Sequence, residues 1–532
     1  MAQDTRADEE QSTRRRANLL RVRYFDTRSL HKHPLFTGVL TNAEMYANRA
    51  VVLSQDGGKM IIAITVDSPQ HALPDLRERF SDFRLSFVMI SGTGFKEFML
   101  DYDPPNKVEY QDIEIKPERE QESIDNITRT LEQVRSDDIF NYLVRQARLL
   151  GASDIHIETQ EGSVRIRFRV DGVLHEIARV SYEKQRQLNS TLAVQANIST
   201  SSTDAQTGHM NHKITDDDKN IIGEVNMRIE TVPTNFGQDA VIRLFNIEHE
   251  LLDLERLGLV EDERAIIDDI IAHPSGLVLS VGPTGSGKTT TLYSILSKLN
   301  TPERKIITLE DPVEYTLPGV VQIPVDTEHS DSFANKLRAV LRLDPDVIMI
   351  GEIRDADTAR TALQASLSGH LVLSTFHAGD TTAALARLYE FLGDNPLLTS
   401  AIRLVVAQRL VRKLDEDSRE HYEPDEHMME QVTKAIKGMP EDKRPNIDEA
   451  SFYKAGRSDS APYGYIGQTA VVELLTISKE IEKLLHKQGS EVDPSDIREA
   501  ARRNGMVTLQ QNAITKAIKG ETTLEEVFRV VA

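Results

Sequence analysis

The chain has 532 residues, and its 63 lysine and arginine residues against 84 aspartate and glutamate residues give a formal net charge of −21 at pH 7. A chain of this length predicts about three domains, and its acidic charge argues against a nucleic-acid partner, because such binding depends mostly on lysine and arginine. The absence of cysteine excludes disulfides, a thiol nucleophile and cysteine-ligated zinc.

The N-terminal segment is polar and charged, which predicts a disordered tail over residues 1–18. It lacks the apolar stretch of a signal peptide. No apolar run in the sequence approaches the roughly 18 residues that are needed to cross a bilayer. We therefore expect a cytoplasmic protein.

A small outer N-terminal α/β domain is predicted over residues 19–105. Strands are expected at Lys59–Thr65 and Leu85–Ile90, with a helix at Leu73–Phe80 between them. The following stretch, residues 106–126, contains an acidic run and predicts a linker, because like charges resist packing.

A second N-terminal domain is predicted over residues 127–246, followed by an interdomain linker at residues 247–256. Its first element is an amphipathic helix, and the residues expected on the buried face are Ile127, Leu131, Val134, Tyr142 and Leu143. A strand at Val164–Val170 carries alternating arginines and ends in an Asp-Gly hairpin turn. The arginines predict an exposed sheet face, with a charged partner as the alternative.

The most specific motif is Gly-Pro-Thr-Gly-Ser-Gly-Lys-Thr at residues 282–289, between an apolar run and a helix-compatible stretch. In such a loop the backbone N–H groups converge on phosphate oxygens, Lys288 reaches the β- and γ-phosphates, and the Thr289 hydroxyl holds Mg²⁺. We expect a nucleoside triphosphate site formed by Gly282, Pro283, Thr284, Gly285, Ser286, Gly287, Lys288, Thr289 and Thr290.

Acidic residues follow two more strands of the βα alternation. Glu310 and Glu314 come at and after the end of one strand, and Glu352 follows another. Because the carboxyl ends of parallel strands share one edge, these acids are expected to converge on the nucleotide. Glu352 is expected to orient the attacking water and to serve Mg²⁺, if necessary through water. One of Glu310 and Glu314 would serve Mg²⁺ through water, with the other supporting it; the alternative is that such acids cap helices or face solvent.

A histidine ends a third strand, Gly369 to Phe376, at His377. Its imidazole could donate a hydrogen bond to the γ-phosphate and so distinguish ATP from ADP. A structural histidine is the equal alternative. His370, at the start of the strand, is expected to be structural.

Taken together, these motifs resemble the secretion ATPases of type II secretion and type IV pilus machines. The matching segments for the Walker A loop, aspartate box, Walker B strand and histidine box are residues 282–289, 307–315, 344–355 and 374–377. Further similar segments are residues 153–158, 169–174, 233–237, 408–412 and 463–468. The resemblance implies an α/β fold with a RecA-like P-loop ATPase core and C-terminal helices at residues 257–532, and a PAS-like second N-terminal domain.

The resemblance also implies a homo-hexamer in which each ATP lies between the two large domains. Arg228, Arg338 and Arg342 match the arginines by which neighbouring subunits neutralise phosphate charge, a task that suits the planar guanidinium. Rotation of the second N-terminal domain about residues 247–256 would transmit work to an integral inner-membrane platform protein. The protein would thus be peripherally associated with that membrane.

Three departures from the family pattern limit which family properties can be expected of this chain. Where the family has Gln-Asp-Gly-Arg, this chain ends the motif in His209, which is mostly neutral at pH 7. The insertion at residues 415–462 lacks the family's four cysteines, so we expect it to be zinc-free, acidic and partly mobile. The segment that binds cyclic di-GMP in some members is not recognisable, and no binding of that messenger is expected.

The outer N-terminal domain favours a filament-assembling or secretion ATPase over the shorter retraction ATPases. We expect a Mg²⁺-dependent ATP hydrolase that drives type IV pilus assembly. A type II secretion ATPase is the alternative, and a nucleotide-binding adaptor with little turnover is another, because His209 replaces an arginine. A nucleic-acid translocase is disfavoured by the net charge.

Overall fold

The computed structural model describes residues 2–30, 33–69, 71–102, 120–134, 138–199, 203–216, 220–245, 253–326, 332–393, 395, 397–447, 450–458, 461–485 and 493–531. The chain divides into two compact units, Met1–Glu109 and Tyr110–Ala532. Among the helices described, none has the length and apolar character that a membrane span requires.

The first unit is a small α/β domain around a four-stranded sheet. Its elements are α1 (Ala2–Leu19), β1 (Arg23–Tyr24), α2 (Asn42–Asn48), β2 (Ala50–Asp56), β3 (Lys59–Ile64), α3 (Ala72–Arg79), β4 (Arg84–Met89) and α4 (Gly92–Tyr102). The strand order is β1-β4-β3-β2, with β2 antiparallel to β3 and the other pairs parallel. The two strands and the helix predicted here are confirmed.

The N-terminal segment forms helix α1, so the prediction of a disordered tail is wrong for the residues described. Glu10 is only 3% exposed. Its carboxylate accepts hydrogen bonds from Tyr24 Oη (2.7 Å) and Ser91 Oγ (2.7 Å) and pairs with Arg6 (2.8 Å). The composition does not predict this helix, because the polar segment is held in place by one buried carboxylate with three partners.

The second unit begins with an antiparallel six-stranded sheet and three helices. These elements are α5 (Glu120–Gln133), α6 (Ile139–Leu149), β5 (Ala152–Gln160), β6 (Ser163–Val170), β7 (Val173–Val180), α7 (Tyr182–Ala196), β8 (Gln206–Thr215), β9 (Ile221–Thr234) and β10 (Gly237–Phe245). The strand order is β7-β6-β5-β10-β9-β8.

The predicted amphipathic helix of this domain is two helices, α5 and α6, and its five predicted apolar residues are all buried. Helix α5 begins at Glu120, inside the stretch predicted as a linker. The remainder of that predicted linker up to residue 119 lies outside the described residues.

The alternating arginines of β6 pair with acids of the neighbouring strand β5. Arg165 (2.8 Å) and Arg167 contact Glu158, and Arg169 lies 3.5 Å from Asp154. The intervening apolar residues of β6 are buried. The arginines therefore lie on the outward face, as predicted, but they are held by acids of their own sheet.

The rest of the second unit is a mostly parallel sheet wrapped by helices. Its elements are α8 (Glu261–Ile271), β11 (Gly276–Val281), α9 (Lys288–Leu299), β12 (Ile306–Glu310), β13 (Val321–Pro324), α10 (Phe333–Val340), β14 (Val347–Ile350), α11 (Ala356–Leu367), β15 (Leu371–Phe376), α12 (Thr381–Leu392), α13 (Leu397–Ala401), β16 (Ile402–Leu414), β17 (Glu420–His421), α14 (Glu426–Lys437), β18 (Tyr453–Lys454), β19 (Tyr465–Leu475), α15 (Lys479–Leu485), α16 (Pro494–Arg503), α17 (Leu509–Ile518) and α18 (Leu524–Val531).

The seven strands of this sheet follow the order β13-β12-β14-β15-β11-β16-β19, and only the β16–β19 pair is antiparallel. All residues of β11, β12, β14 and β15 are buried, as expected for parallel strands covered on both faces. Leu277 and Leu279 belong to one core cluster and Val278 to another. The carboxyl ends of these four strands therefore meet at one edge, and the α/β fold predicted from the sequence is confirmed.

The insertion at residues 415–462 is built into this domain. It contains α14 and the two-stranded sheet of β17 and β18. Val432, Ile436 and Phe452 are buried in the same core cluster as the strands, and Gln511 Nε2 donates to Ala435 O at 3.0 Å. The apolar face of α14 therefore packs the described part of the insertion onto the domain core, and the partial mobility of the insertion stays a prediction.

The predicted interdomain linker falls largely outside the described residues, which resume at Asp253. The Asp253 carboxylate accepts from Glu255 N (3.0 Å) at the start of a 3-10 helix, Leu254–Leu257. Leu254 and Leu257 are buried against helices of the parallel-sheet domain. This end of the segment is therefore fixed to the parallel-sheet domain.

Candidate nucleotide-binding site

The loop at residues 282–287 connects β11 to α9 at the carboxyl edge of the parallel sheet. Gly282 (φ 154°) and Gly287 (φ 83°) adopt backbone conformations that favour glycine. A Cβ atom at Gly282 would lie 2.7 Å from Gln408 O, and one at Gly287 would lie 2.6 Å from Gln408 Nε2. The glycines are thus required both by φ and by the close approach of β16.

Lys288 is turned back onto this loop. Its Nζ donates hydrogen bonds to Gly282 O (2.9 Å) and Pro283 O (2.8 Å). Burial lowers the pKa of Lys288, and the charges of Glu352 and Glu314 oppose that shift. Both acids are therefore within electrostatic reach of the ammonium group, as the strand-end argument predicts.

The loop residues fit a bound phosphate. Ser286 is 3% exposed, and its Oγ has no hydrogen-bond partner among the described residues. A buried polar atom of this kind at a helix N-terminus has an available hydrogen bond for a ligand oxygen. Among the described residues no group of three or more histidines or acids could hold a metal ion. A hard cation here would therefore need phosphate oxygens beside Thr289 and Glu352.

Glu352 lies just beyond the end of β14. Its carboxylate is bonded by Arg354, a contact that raises the pKa of the arginine. Glu352 Oε2 lies 3.4 Å from His377 Nε2. A hydrogen bond from Thr375 Oγ1 to Gly351 O (2.5 Å) connects the ends of β14 and β15. Two predicted site residues, Glu352 and His377, are thus adjacent.

Glu310 is held by side chains of its own domain. It is 3% exposed and accepts hydrogen bonds from Tyr293 Oη, Thr308 Oγ1 (2.5 Å) and Gln322 Nε2 (3.1 Å). These three donors connect α9, β12 and β13. Direct coordination of a metal ion by Glu310 would require its carboxylate to lose some of these hydrogen bonds.

The Glu314 carboxyl is protonated more readily than a carboxyl in water. Burial raises the pKa of the Glu314 carboxyl, and the charge of Glu310 adds to the shift, whereas Arg243 and Lys288 lower it. Arg243 of β10 also pairs with Asp154 at 3.1 Å. The sequence analysis did not predict a role for Arg243 near these acids. Its alternation with buried Ile242 and Leu244 places it on the outer face of the sheet.

Two of the three predicted arginines, Arg228 and Arg338, contact acids of their own domains. Arg228 Nε lies 3.0 Å from Glu230 Oε1, and Arg338 pairs with Asp357 at 2.6 Å. Arg342 is exposed in a short 3-10 helix. His209 on β8 is directly opposite Arg228 on β9. Their role toward a nucleotide stays a prediction.

Residues of β16 reach the loop, although their sequence predicts no role for them beyond similarity to the family. Thr291 Oγ1 on α9 donates to Gln408 Oε1 at 2.6 Å. Arg409 donates from Nη2 to Gly379 O at 2.8 Å, two residues after His377. The signal that could have identified them is a polar pair in the middle of β16, directly after a run of buried apolar residues.

A cleft of about 1340 Å³ opens between the antiparallel-sheet domain and the parallel-sheet domain, and Gly287 and Thr290 contribute to its lining. At its wall, His175 of β7 stacks on Tyr463 with ring centroids 3.7 Å apart. The helix side of the phosphate loop therefore faces the other domain of the same chain.

The sheet order and the glycine loop define a RecA-like P-loop ATPase fold. Residues 132–529 match the family described as type II/IV secretion system protein, and the chain belongs to this family. The resemblance to secretion ATPases predicted from the sequence is confirmed.

Three known proteins illustrate the similarity. "Type II secretion system protein E" of Xanthomonas campestris pv. campestris is 38% identical over 393 residues, covering 74% of this chain and 66% of that protein. "Type IV pilus assembly ATPase PilB" of Myxococcus xanthus is 34% identical over 487 residues, covering 90% of this chain and 83% of that protein. The structure of the Legionella pneumophila ATPase DotB has a TM-score of 0.54 and 24% identity, covering 73% of this chain and 94% of DotB, a likeness of fold.

Proposed function

We propose that this protein is a Mg²⁺-dependent ATP hydrolase that acts as a cytoplasmic hexameric motor for type IV pilus assembly. The observation that carries the proposal is the cluster of Lys288, Glu314 and Glu352 around the glycine loop, with His377 beside Glu352. Phosphoryl transfer needs positioned phosphates, compensation of their charge and an oriented water. The residues of this cluster supply groups of each kind.

In this proposal each side chain has a separate task. Lys288 exchanges its loop carbonyls for phosphate oxygens, and Thr289 and Glu352 hold Mg²⁺, the glutamate through water if necessary. The cation would neutralise charge on the phosphates when bound. Glu352 orients the attacking water, and His377 donates to the γ-phosphate. Arg228 and Arg338 exchange their present acid partners for phosphate across a subunit interface, and the exposed Arg342 binds phosphate there with them.

Coverage of the relatives favours pilus assembly over secretion. The match to the Myxococcus pilus assembly ATPase spans 90% of this chain, whereas the match to the Xanthomonas type II secretion protein spans 74%. The pilus-assembly match is 487 residues long, against 393 residues for the secretion match. A type II secretion ATPase is the second candidate, because several relatives carry that name.

Steady-state ATPase assays test the enzymatic part of the proposal. Wild-type protein should hydrolyse ATP in the presence of Mg²⁺, and Glu352→Gln should lose about 100-fold or more in kcat while still binding ATP. Glu480→Gln, at a surface pair with Arg503, is the matched control. Wild-type protein that binds ATP without turnover would indicate the adaptor, and DNA-stimulated turnover would indicate a translocase.

The cellular role is tested by capture of the partner. Glu352→Gln protein, trapped with ATP in its host, should crosslink to an integral inner-membrane platform protein of a pilus machine. Size measurement of the trapped form should give a hexamer. Capture of a secretion platform without pilins would replace the pilus assignment with the secretion one.

A further inference from the structure

We propose that Arg409 is a positioning residue that couples the glycine loop to the segment carrying His377. The inference rests on the proposed ATPase function. The segment concerned, residues 377–380, lies between β15 and α12 and is called the histidine loop below. Arg409 follows Gln408 at the end of the buried part of β16.

Arg409 lies beside the glycine loop. A Cβ atom added to Gly282 would lie 3.2 Å from Arg409 Nη1. The same Nη1 donates to Gln408 O at 2.9 Å, and Gln408 O is itself against Gly282. The positive charge of Arg409 contributes to the lowered pKa of Lys288. The guanidinium is thus packed beside the loop that carries Lys288.

Arg409 contacts the histidine loop directly, through its Nη2 hydrogen bond to Gly379 O (2.8 Å). Both hydrogen-bond acceptors of Arg409 are backbone carbonyls, and among the described residues no carboxylate lies within ion-pair distance of it. The planar fork bonds the carbonyl of Gln408, which lies against Gly282, and the carbonyl of Gly379, and it fixes the spacing of β16 and the histidine loop more strictly than a single point charge can. Its geometry therefore suits a mechanical connection between segments.

The far end of the histidine loop is held rigidly. Glu473 of β19, 3% exposed, accepts from Thr381 N (3.0 Å) and Thr381 Oγ1 (2.5 Å) at the start of α12. Asp380 pairs with Arg498 at 2.5 Å. With α12 anchored in this way, movement of the loop is confined to residues near His377 and Gly379.

These contacts define how a change at the glycine loop would reach the histidine. Lys288 now holds the carbonyl of Gly282, and a phosphate that attracts the ammonium group releases that carbonyl. A shift of Gly282 moves Arg409 and, through Gly379, the backbone that presents His377 toward Glu352. Arg409 acts through another residue, so its loss should affect the chemical step more than nucleotide binding.

Conservative variants in the full-length protein test this coupling. Arg409→Lys keeps the charge and removes the fork, and Arg403→Lys, on the same strand beside Gly276, is the matched control. We expect Arg409→Lys to lower kcat about tenfold and to leave ATP affinity within about threefold, because small misplacements of catalytic groups affect rate strongly. Arg403→Lys should leave both unchanged. The unfolding temperature of each variant would verify that it folds. Arg409→Gln, which removes both the charge and the fork, is the second variant.

A double-mutant cycle with His377→Ala identifies the route of the effect. If Arg409 acts through the histidine, Arg409→Lys should cause no further loss of kcat in the His377→Ala background. The inference is overturned if the two losses multiply, if ATP affinity falls in parallel with kcat, or if His377→Ala leaves kcat unchanged. Absence of turnover in the wild-type protein would instead refute the proposed function.

Discussion

The phenol of Tyr293, on the helix that follows the glycine loop, donates a hydrogen bond to the Glu310 carboxylate at the end of the next strand. Both side chains are buried, at 0% and 3% exposure. Burial and the neighbouring charge of Glu310 raise the pKa of the Tyr293 hydroxyl, so the phenol remains the donor. The pair therefore fixes α9, which begins at Lys288, against β12.

Replacing Tyr293 with Phe should destabilise the protein without removing its chemistry. The change leaves a buried carboxylate short of one donor, which costs about 1–3 kcal/mol, while Thr308 and Gln322 continue to hold Glu310. Chemical denaturation and ATPase assays would measure both effects, with Tyr389→Phe in the same domain as the control. A large loss of kcat at unchanged stability would instead assign Glu310 a direct role.

Replacing Lys288 with Met should abolish stabilisation by nucleotide and leave the ligand-free protein at least as stable as the wild type. Burial lowers the pKa of Lys288, so between that value and the ordinary one the unfolded chain binds more protons, and stability rises with pH. At pH 7 the charged, buried ammonium is a cost that Met removes. Thermal unfolding with and without Mg²⁺–ATP measures both effects.

The matched control for this prediction is Lys298→Met on the same helix, where the lysine pairs with Asp268 at the surface. That variant should keep the nucleotide-induced rise in unfolding temperature. A similar rise in Lys288→Met would show that the nucleotide binds elsewhere.

Acidification should weaken the contact between His175 and Tyr463 at the interdomain cleft. Burial, with help from the charge of Arg412, lowers the pKa of His175 to about 4. Above the ordinary value both states are neutral; as pH falls through the interval down to about 4, only the unfolded state gains the proton, so stability is lost. After allowance for solvent screening the loss is about 1–2 kcal/mol.

His175→Phe keeps an aromatic ring for Tyr463 and removes the titration, so its unfolding free energy should decline less between pH 7 and pH 4.5. His421→Phe, which alters the similar ring pair with Tyr453, should retain the wild-type pH profile. Equal profiles for all three proteins would contradict the assignment to His175.

Glu526 on α18 should stabilise the folded protein at neutral pH and lose that contribution as the solution is acidified. Burial alone would raise the pKa of Glu526, but hydrogen bonds from Arg529 and Arg412 lower it to about 2. Its contribution is complete above the ordinary carboxyl value and is lost as pH falls toward 2. Glu526→Gln should lower the free energy of unfolding by about 3 kcal/mol at pH 7. It should also reduce the loss of stability between neutral and acidic pH.

Denaturation at pH 7 and at pH 3 would measure the difference, with the exposed Glu499→Gln as control. Equal destabilisation of Glu526→Gln at both pH values would show that the carboxylate charge contributes nothing. Loss of soluble protein can be avoided by the milder Arg529→Lys change, which retains a cation beside Glu526.

The glycine loop and the strand-end acids could be predicted because their constraints are local. Gly282 and Gly287 are dictated by backbone conformation and close approach, and parallel strands with continuous apolar runs bring Glu310 and Glu352 to one edge. The contacts of Glu310 could not be predicted, since Tyr293 and Gln322 are brought to it by packing between α9, β12 and β13.

Helix α1 and the role of Arg409 escaped prediction for a related reason. Each depends on a polar side chain meeting partners distant in sequence, as Glu10 meets Ser91 and Arg409 meets Gly379. Composition treats such residues as solvated, whereas burial with satisfied hydrogen bonds reverses that expectation.

The turned-in ammonium of Lys288 has a consequence for ligand choice. Its two carbonyl acceptors satisfy it in the resting state, so only a ligand that offers anionic oxygens can draw it outward. Adenosine, which carries a base and a sugar but no anionic oxygen, provides no such exchange. Selection should therefore begin at the phosphate chain, before the base is recognised, and adenosine should compete poorly against ATP.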